Sequence, residues 1–238
     1  MIIKVCGMRD AKNIAAVSAL DVDMLGFIFH PQSKRYVAAI PRLPETPIST
    51  QKEKKPLSTE PIASTASTVK RRPKRVGVFV DDMAQNIITR VYTFGLDYIQ
   101  LHGHESPTMI RNLRATLIPD IQPHIKIIKT ISIASREDIE QYKAYEHDVD
   151  LFLFDTKTPL QGGSGQQFDR SLLESYDGDI PFLLSGGIGP NDAIRIHSLR
   201  HPRMAGIDLN SRFETSPGMK DVVLLKDFIS LLNSCSDL

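Results

Sequence analysis

Cys6 closes an apolar run, Ile2 to Cys6, and is followed by glycine. A cysteine at the last position of a strand can face an open end of the fold. There a thiol, whose ordinary pKa is about 8.5, can be tuned into a base. Free cysteine is also a common small buried hydrophobe, so position alone leaves both roles open. Asp155 directly follows the apolar residues Leu151 to Phe154. A carboxylate there is costly to bury alone, so it either faces an opening or pairs with a cation. Arg35 ends the stretch His30-Pro31-Gln32-Ser33-Lys34-Arg35. Its planar fork suits a carboxylate or phosphate, although an ordinary surface charge fits the same position.

Three stretches suit an anion: Gly162-Gly163-Ser164-Gly165, Ser185-Gly186-Gly187-Ile188-Gly189 and Asn210-Ser211-Arg212. Glycines let backbone N–H groups approach a phosphate, and a following helix start adds a favourable dipole. Together they point to a phosphorylated small-molecule substrate. His102 and His104 flank Gly103, which raises the question of a metal. No matching histidine ends the second or seventh apolar run, His30 being the nearest case, so no metal site is expected. There is no Walker loop, no G-x-S-x-G elbow, no C-x-x-C pair and no G-x-G-x-x-G after the first run. No cofactor is expected.

These residues need elements to hold them. Eight apolar runs recur: Ile2–Cys6, Met24–Phe29, Val76–Val80, Asp97–Leu101, Ile125–Thr130, Asp150–Phe154, Ile180–Leu184 and Ala205–Leu209. Several are almost continuously apolar, as strands buried on both faces are. Helix patterns lie between them. Asp10 can cap one carrying Ile14 and Val17, and Ser106-Pro107 opens another. Asp82, Ser135 and Pro190-Asn191 precede three more, and the last helix is expected from about Met219 to Leu232. Eight strands alternating with helices give a parallel α/β fold. Eight is the number that closes a (β/α)₈ barrel, though an open doubly wound sheet has the same element order. In a barrel, functional groups sit at the C-terminal strand ends, and phosphate is often held after strands 7 and 8.

The 238 residues suit one such barrel, and 41% hydrophobic content can fill its core. A net charge of +1 gives no push toward nucleic acid. Cys6 and Cys235 make no disulfide framework, which favours a reducing compartment. The opening residues carry no secretory pattern, and every apolar run is far short of the ~20 residues of a membrane span. A cytoplasmic monomer or homodimer with no membrane partner is expected. One stretch breaks the pattern. Residues 41–74 are rich in Pro, Ser, Thr and Lys and lack aromatics. Such a segment cannot bury enough apolar surface to order itself, so a disordered insertion is expected, replacing or extending helix 2.

In order along the chain stand KVCGMRD, GFIFHPQSKRYV, RVGVFV, DYIQLHGHES, FDTKTPLQGGSGQQFD, LLSGGIGPNDA and GIDLNSRFETSPGMKD. This series resembles the phosphoribosylanthranilate isomerase family over nearly the whole chain except residues 41–74. The resemblance implies a single-domain (β/α)₈ barrel that carries out an Amadori rearrangement in tryptophan biosynthesis without a cofactor. It implies Cys6 as general base, Asp155 as general acid and Arg35 as the holder of the anthranilate carboxylate. Substrate-binding positions then fall on Gly163, Gly186, Gly187, Asp208, Ser211 and Arg212. Two departures stand out. The family usually has Ser-Gly-Val-Glu where this chain has Ser211-Arg212-Phe213-Glu214, and Arg170 replaces an aromatic after Phe168-Asp169.

Overall fold

In the computed structural model, which describes residues 1–41, 72–156 and 170–234, the apolar runs become eight parallel strands. They are β1 (Ile2–Val5), β2 (Met24–Ile28), β3 (Lys74–Phe79), β4 (Tyr98–Leu101), β5 (Lys126–Ile133), β6 (Leu151–Thr156), β7 (Phe182–Ser185) and β8 (Met204–Leu209). Each pairs with the next, and β8 returns to β1 with Lys4 opposite Asp208, closing a barrel. The helices are α1 (Ala11–Ser18), α2 (Ala84–Phe94), α3 (Pro107–Leu117), α4 (Arg136–Ile139), α5 (Arg170–Glu174), α6 (Ala193–Ser198) and α7 (Val222–Ser234). A (β/α)₈ barrel is therefore the fold, and the open sheet is excluded.

Local chemistry sets the helix starts. The Asp10 carboxylate accepts the Asn13 N–H at 2.8 Å, and the Ser106 hydroxyl accepts that of Met109 at 3.2 Å ahead of Pro107. Both satisfy amides that have no partner within the helix. Strand alternation then divides the core in two. Met24, Val76, Ile128, Leu151, Leu153 and Leu183 fill the barrel interior. Their neighbours, among them Ile3, Phe27, Phe79, Phe152 and Ile207, pack outward against helix residues such as Ile14, Ile87 and Ile110.

Three boundaries differ from the sequence reading. The last helix starts at Val222, because Met219–Lys220 (β10) pairs antiparallel with Glu214–Ser216 (β9) around Gly218 at φ +85°. The stretch placed at 41–74 ends earlier, since Lys74 already belongs to β3. Its N–H donates to Asp23 O at 2.7 Å and its ammonium meets Asp97 at 3.0 Å. Polar residues on a strand's solvent-facing start carry no hydrophobic signal. Asp155, read as following strand 6, is inside it. No helix stands between β2 and β3 among the described residues, and residues 42–71, where an insertion was expected, lie outside them. No helix among the described residues is long and apolar enough to cross a membrane.

Candidate active site

Period-two alternation carries one set of side chains upward to the C-terminal mouth. Cys6, just past β1, follows Lys4 on it; His102, just past β4, follows Gln100; Asp155 follows Leu153 on β6; and Asn210, just past β8, follows Asp208. Cys6, Gln100, His102, Asp155, Asp208 and Asn210 line a cavity of about 350 Å³ together with Gly186, Gly187, Ser211 and Arg212. That volume falls in the range of small-molecule sites.

On the β1 wall Cys6 is 4% exposed. Burial pushes its thiol up from the ordinary value, while the Lys4 and Lys220 cations pull the other way and Asp208 adds to the rise. Lys4 Nζ donates to Asp208 Oδ1 at 2.7 Å, and Ser185 Oγ donates to Asp208 Oδ2 at 3.3 Å. A second buried cluster adjoins the first. Lys220 Nζ donates to Asn210 Oδ1 at 2.8 Å and to Glu214 Oε1 at 2.6 Å. Arg35 forks onto the same carboxylate, with Nε 2.9 Å from Oε1 and Nη2 2.7 Å from Oε2. Burial alone would raise the Glu214 pKa, but the bonds from Arg35 and Lys220 outweigh it and hold the group ionised. Gly7, at φ +79°, lets the chain pass under this cluster; a Cβ there would lie 2.6 Å from Arg35 Cδ.

On the opposite wall Asp155 lies 3.7 Å from His102 Nε2. Burial, then the Lys4 charge, hold His102 below its ordinary pKa, so the ring is neutral near pH 7. The Gln100 amide nitrogen lies 3.2 Å from His102 Nδ1. For that amide to donate, Nδ1 must accept, which puts the ring proton on Nε2, toward Asp155. The loop after β4 is fixed from below. Gly103 N–H donates to Glu105 at 3.1 Å, and Gly103 O accepts Lys129 Nζ at 2.6 Å.

The third wall follows β7 and β8. Gly186 and Gly187 have φ of +96° and +62°, and a Cβ on Gly186 would lie 2.2 Å from Thr156 O. Only glycine takes this path without strain. Gly189 N–H is already taken by Asp192 Oδ2 at 2.7 Å, so that amide caps its own turn. After β8 a 3₁₀ turn (Ser211–Phe213) is anchored by Phe213, whose ring packs 5.0 Å from that of Phe228. The departure at 212–213 thus has a structural reading: Phe213 serves the core and Arg212 lines the cavity beside Gly189.

Of the residues singled out from sequence, Cys6, Asp155, Gly186, Gly187, Asp208, Ser211 and Arg212 share this cavity. Arg35 is not among the lining residues and engages Glu214, and Gly163 lies outside the described residues. Asp208 reaches the cavity, yet both of its oxygens already have partners in Lys4 and Ser185. Sequence reasoning missed Lys4, Gln100, Glu214 and Lys220, considered His102 only for metal, and took Asn210 only as part of an anion-suited stretch. The available signal was spacing, since Lys4 and Gln100 sit two residues before a strand-end group. Among the described residues no group of three or more His, Cys, Asp or Glu could hold a metal ion.

Fold and cavity together define a class: (β/α)₈-barrel proteins with a carboxyl, a thiol, a glycine turn and an arginine gathered at the C-terminal mouth. The family model described as N-(5'phosphoribosyl)anthranilate (PRA) isomerase matches residues 40–231. An N-(5'-phosphoribosyl)anthranilate isomerase of Parabacteroides distasonis is 45% identical, over 96% of this chain and 92% of its own. One from Phocaeicola vulgatus is 40% identical over 98% of each. The crystal structure of phosphoribosyl anthranilate isomerase from Thermotoga maritima superposes with a TM-score of 0.70 at 27% identity, covering 98% of this chain and 100% of that one. The chain belongs to the phosphoribosylanthranilate isomerase family.

Proposed function

We propose that this chain isomerises N-(5-phosphoribosyl)anthranilate to 1-(2-carboxyphenylamino)-1-deoxyribulose 5-phosphate in tryptophan biosynthesis, with Asp155 as general acid and Cys6 as general base. The observation that carries the mechanism is that these two groups line one cavity from β6 and β1. Asp155 protonates the furanose ring oxygen as the C1–O bond breaks, and the anilino nitrogen lone pair forms the Schiff base. Thiolate at Cys6 then removes the C2 proton. The electrons move into the C1–C2 bond and on to nitrogen, giving an enolamine. Protonation at C1 with loss of the C2 hydroxyl proton yields the ketone, so composition is unchanged. The substrate nitrogen is the electron sink, and no external oxidant or reductant enters.

The phosphate fits the backbone at Gly186 and Gly187 and the charge of Arg212. Arg35 uses Nε and Nη2 on Glu214 and can offer the rest of its fork to the anthranilate carboxylate. One chain supplies all of these groups, so the site would serve a monomer or a homodimer equally. The test is fluorescence decay of freshly made phosphoribosylanthranilate. Cys6→Ala and Asp155→Asn should each lower turnover about 10²–10⁴-fold. Near-normal rates in both folded variants would remove this mechanism.

A further inference from the structure

Lys4 has no part in the steps above, yet it points into the barrel interior and is fully buried. Met24, Val76, Ile128, Leu153 and Leu183 occupy that interior, and apolar residues of this kind are what such barrels pack with. An ammonium there is costly to desolvate, and an apolar replacement of a buried ion pair is often no less stable. Packing therefore does not account for it. Direction does, because β1 places Lys4 on the same face as Cys6, directly below the sulfur.

Among the described residues the charges around that sulfur come from five segments: Lys4 on β1, Asp208 on β8, Lys220 on β10 and Arg35 after β2, with Glu214 on β9 bonded to the last two. His102 after β4 is neutral, and β2 faces the sulfur with Gly26. Three cations against two carboxylates leave one positive charge while Cys6 is a thiol. A thiolate cancels it. We propose that Lys4 is a positioning residue for the isomerisation: its buried ammonium, held under the sulfur by Asp208, stabilises the anionic, proton-accepting form of Cys6 against its burial. The inference rests on Cys6 being the base. It agrees with the behaviour of Lys4 itself, which stays above its ordinary pKa although burial alone would lower it, because Asp208 and Cys6 hold its proton.

The test is the ultraviolet absorbance of the thiolate, taken as the difference between the chain and its Cys6→Ser variant so that Cys235 and the tyrosines cancel. Lys4→Met should raise the midpoint by about 1–3 pH units, as loss of a close opposite charge does. The acid limb of kcat/KM should move with it while KM holds. Lys4→Met strands the Asp208 charge, so Lys4→Met/Asp208→Asn is the companion variant. Lys4 acts on the thiol more strongly than Asp208 does, so the midpoint should still rise. A third comparison leaves Lys4 in place: Cys6→Asp should melt higher than Cys6→Asn, because a fixed anion fills the surplus. An unmoved midpoint in either folded Lys4 variant, or a Cys6→Asp melting no higher than Cys6→Asn, overturns the proposal. Activity surviving in Cys6→Ser would instead sink the acid–base reading it rests on.

Discussion

Gly26 on β2 offers a direct measure of how tightly the thiol must be placed. An ideal Cβ at this position would lie 2.7 Å from Cys6 Sγ, 3.0 Å from its Cα and 3.2 Å from its Cβ. Non-bonded heavy atoms rest about 3.5–4.0 Å apart, so a methyl group pushes the sulfur back by roughly 1 Å. Rotation about χ1 does not relieve the contact, because Cα and Cβ are crowded too. Gly26 is not among the positive-φ glycines, so alanine adds no backbone strain. Overpacking of this sort costs about 1–3 kcal/mol, which is a fall of about 2–12 °C in Tm for a chain of this size. Catalysis should suffer more, since a misplacement of about 1 Å can cost about 100-fold. Gly26→Ala is therefore expected to lose about 100-fold in kcat, with KM held by contacts on the other walls. Gly77→Ala is the control. Its Cβ would meet Leu96 and Phe79 at 2.5 and 2.8 Å on the outer face of β3, so it overpacks without touching the thiol. Stopped-flow fluorescence and thermal melts read both variants. A folded Gly26→Ala with kcat within about threefold of the parent, or an equal kcat loss in Gly77→Ala, refutes the reasoning.

Gly186→Ala must place a Cβ 2.2 Å from Thr156 O at φ +96°; it is expected to lose at least about 2 kcal/mol in urea unfolding and to raise KM more than it lowers kcat, and an unchanged KM would count against phosphate at this loop. His102 tests the electrostatics through stability. Its folded pKa lies below the ordinary 6.5, so between the folded value and 6.5 the unfolded chain binds more protons, and stability falls as pH drops through that window. His102→Gln should flatten that part of the urea stability curve, and an unaltered slope would contradict the assigned burial effect.

The parts of the molecule legible in its residues are those whose signal is local. All eight barrel strands appeared as apolar runs because both of their faces are buried. Cys6 and Asp155 stood out because each interrupts such a run at its upper end. β10 was read as helix because a two-residue strand has no periodicity of its own; it exists through its pairing with β9. The start of β3 was read as the end of an insertion because Lys74 is a strand residue by register with Met24, not by character.

What stayed hidden is the charge arrangement around the thiol, and the reason is separation along the chain. Lys4 meets Asp208 across 204 positions, and Arg35 meets Glu214 across 179. Neither pair leaves a mark in any short window. Barrel closure creates them: β1 and β8 are neighbours only once the ring is complete, with Lys4 opposite Asp208. The acid–base groups can thus be named from strand ends alone, whereas the field that makes a buried thiol usable exists only after folding. That field should be lost under any perturbation that opens the β1–β8 seam, before the remaining strands unpair.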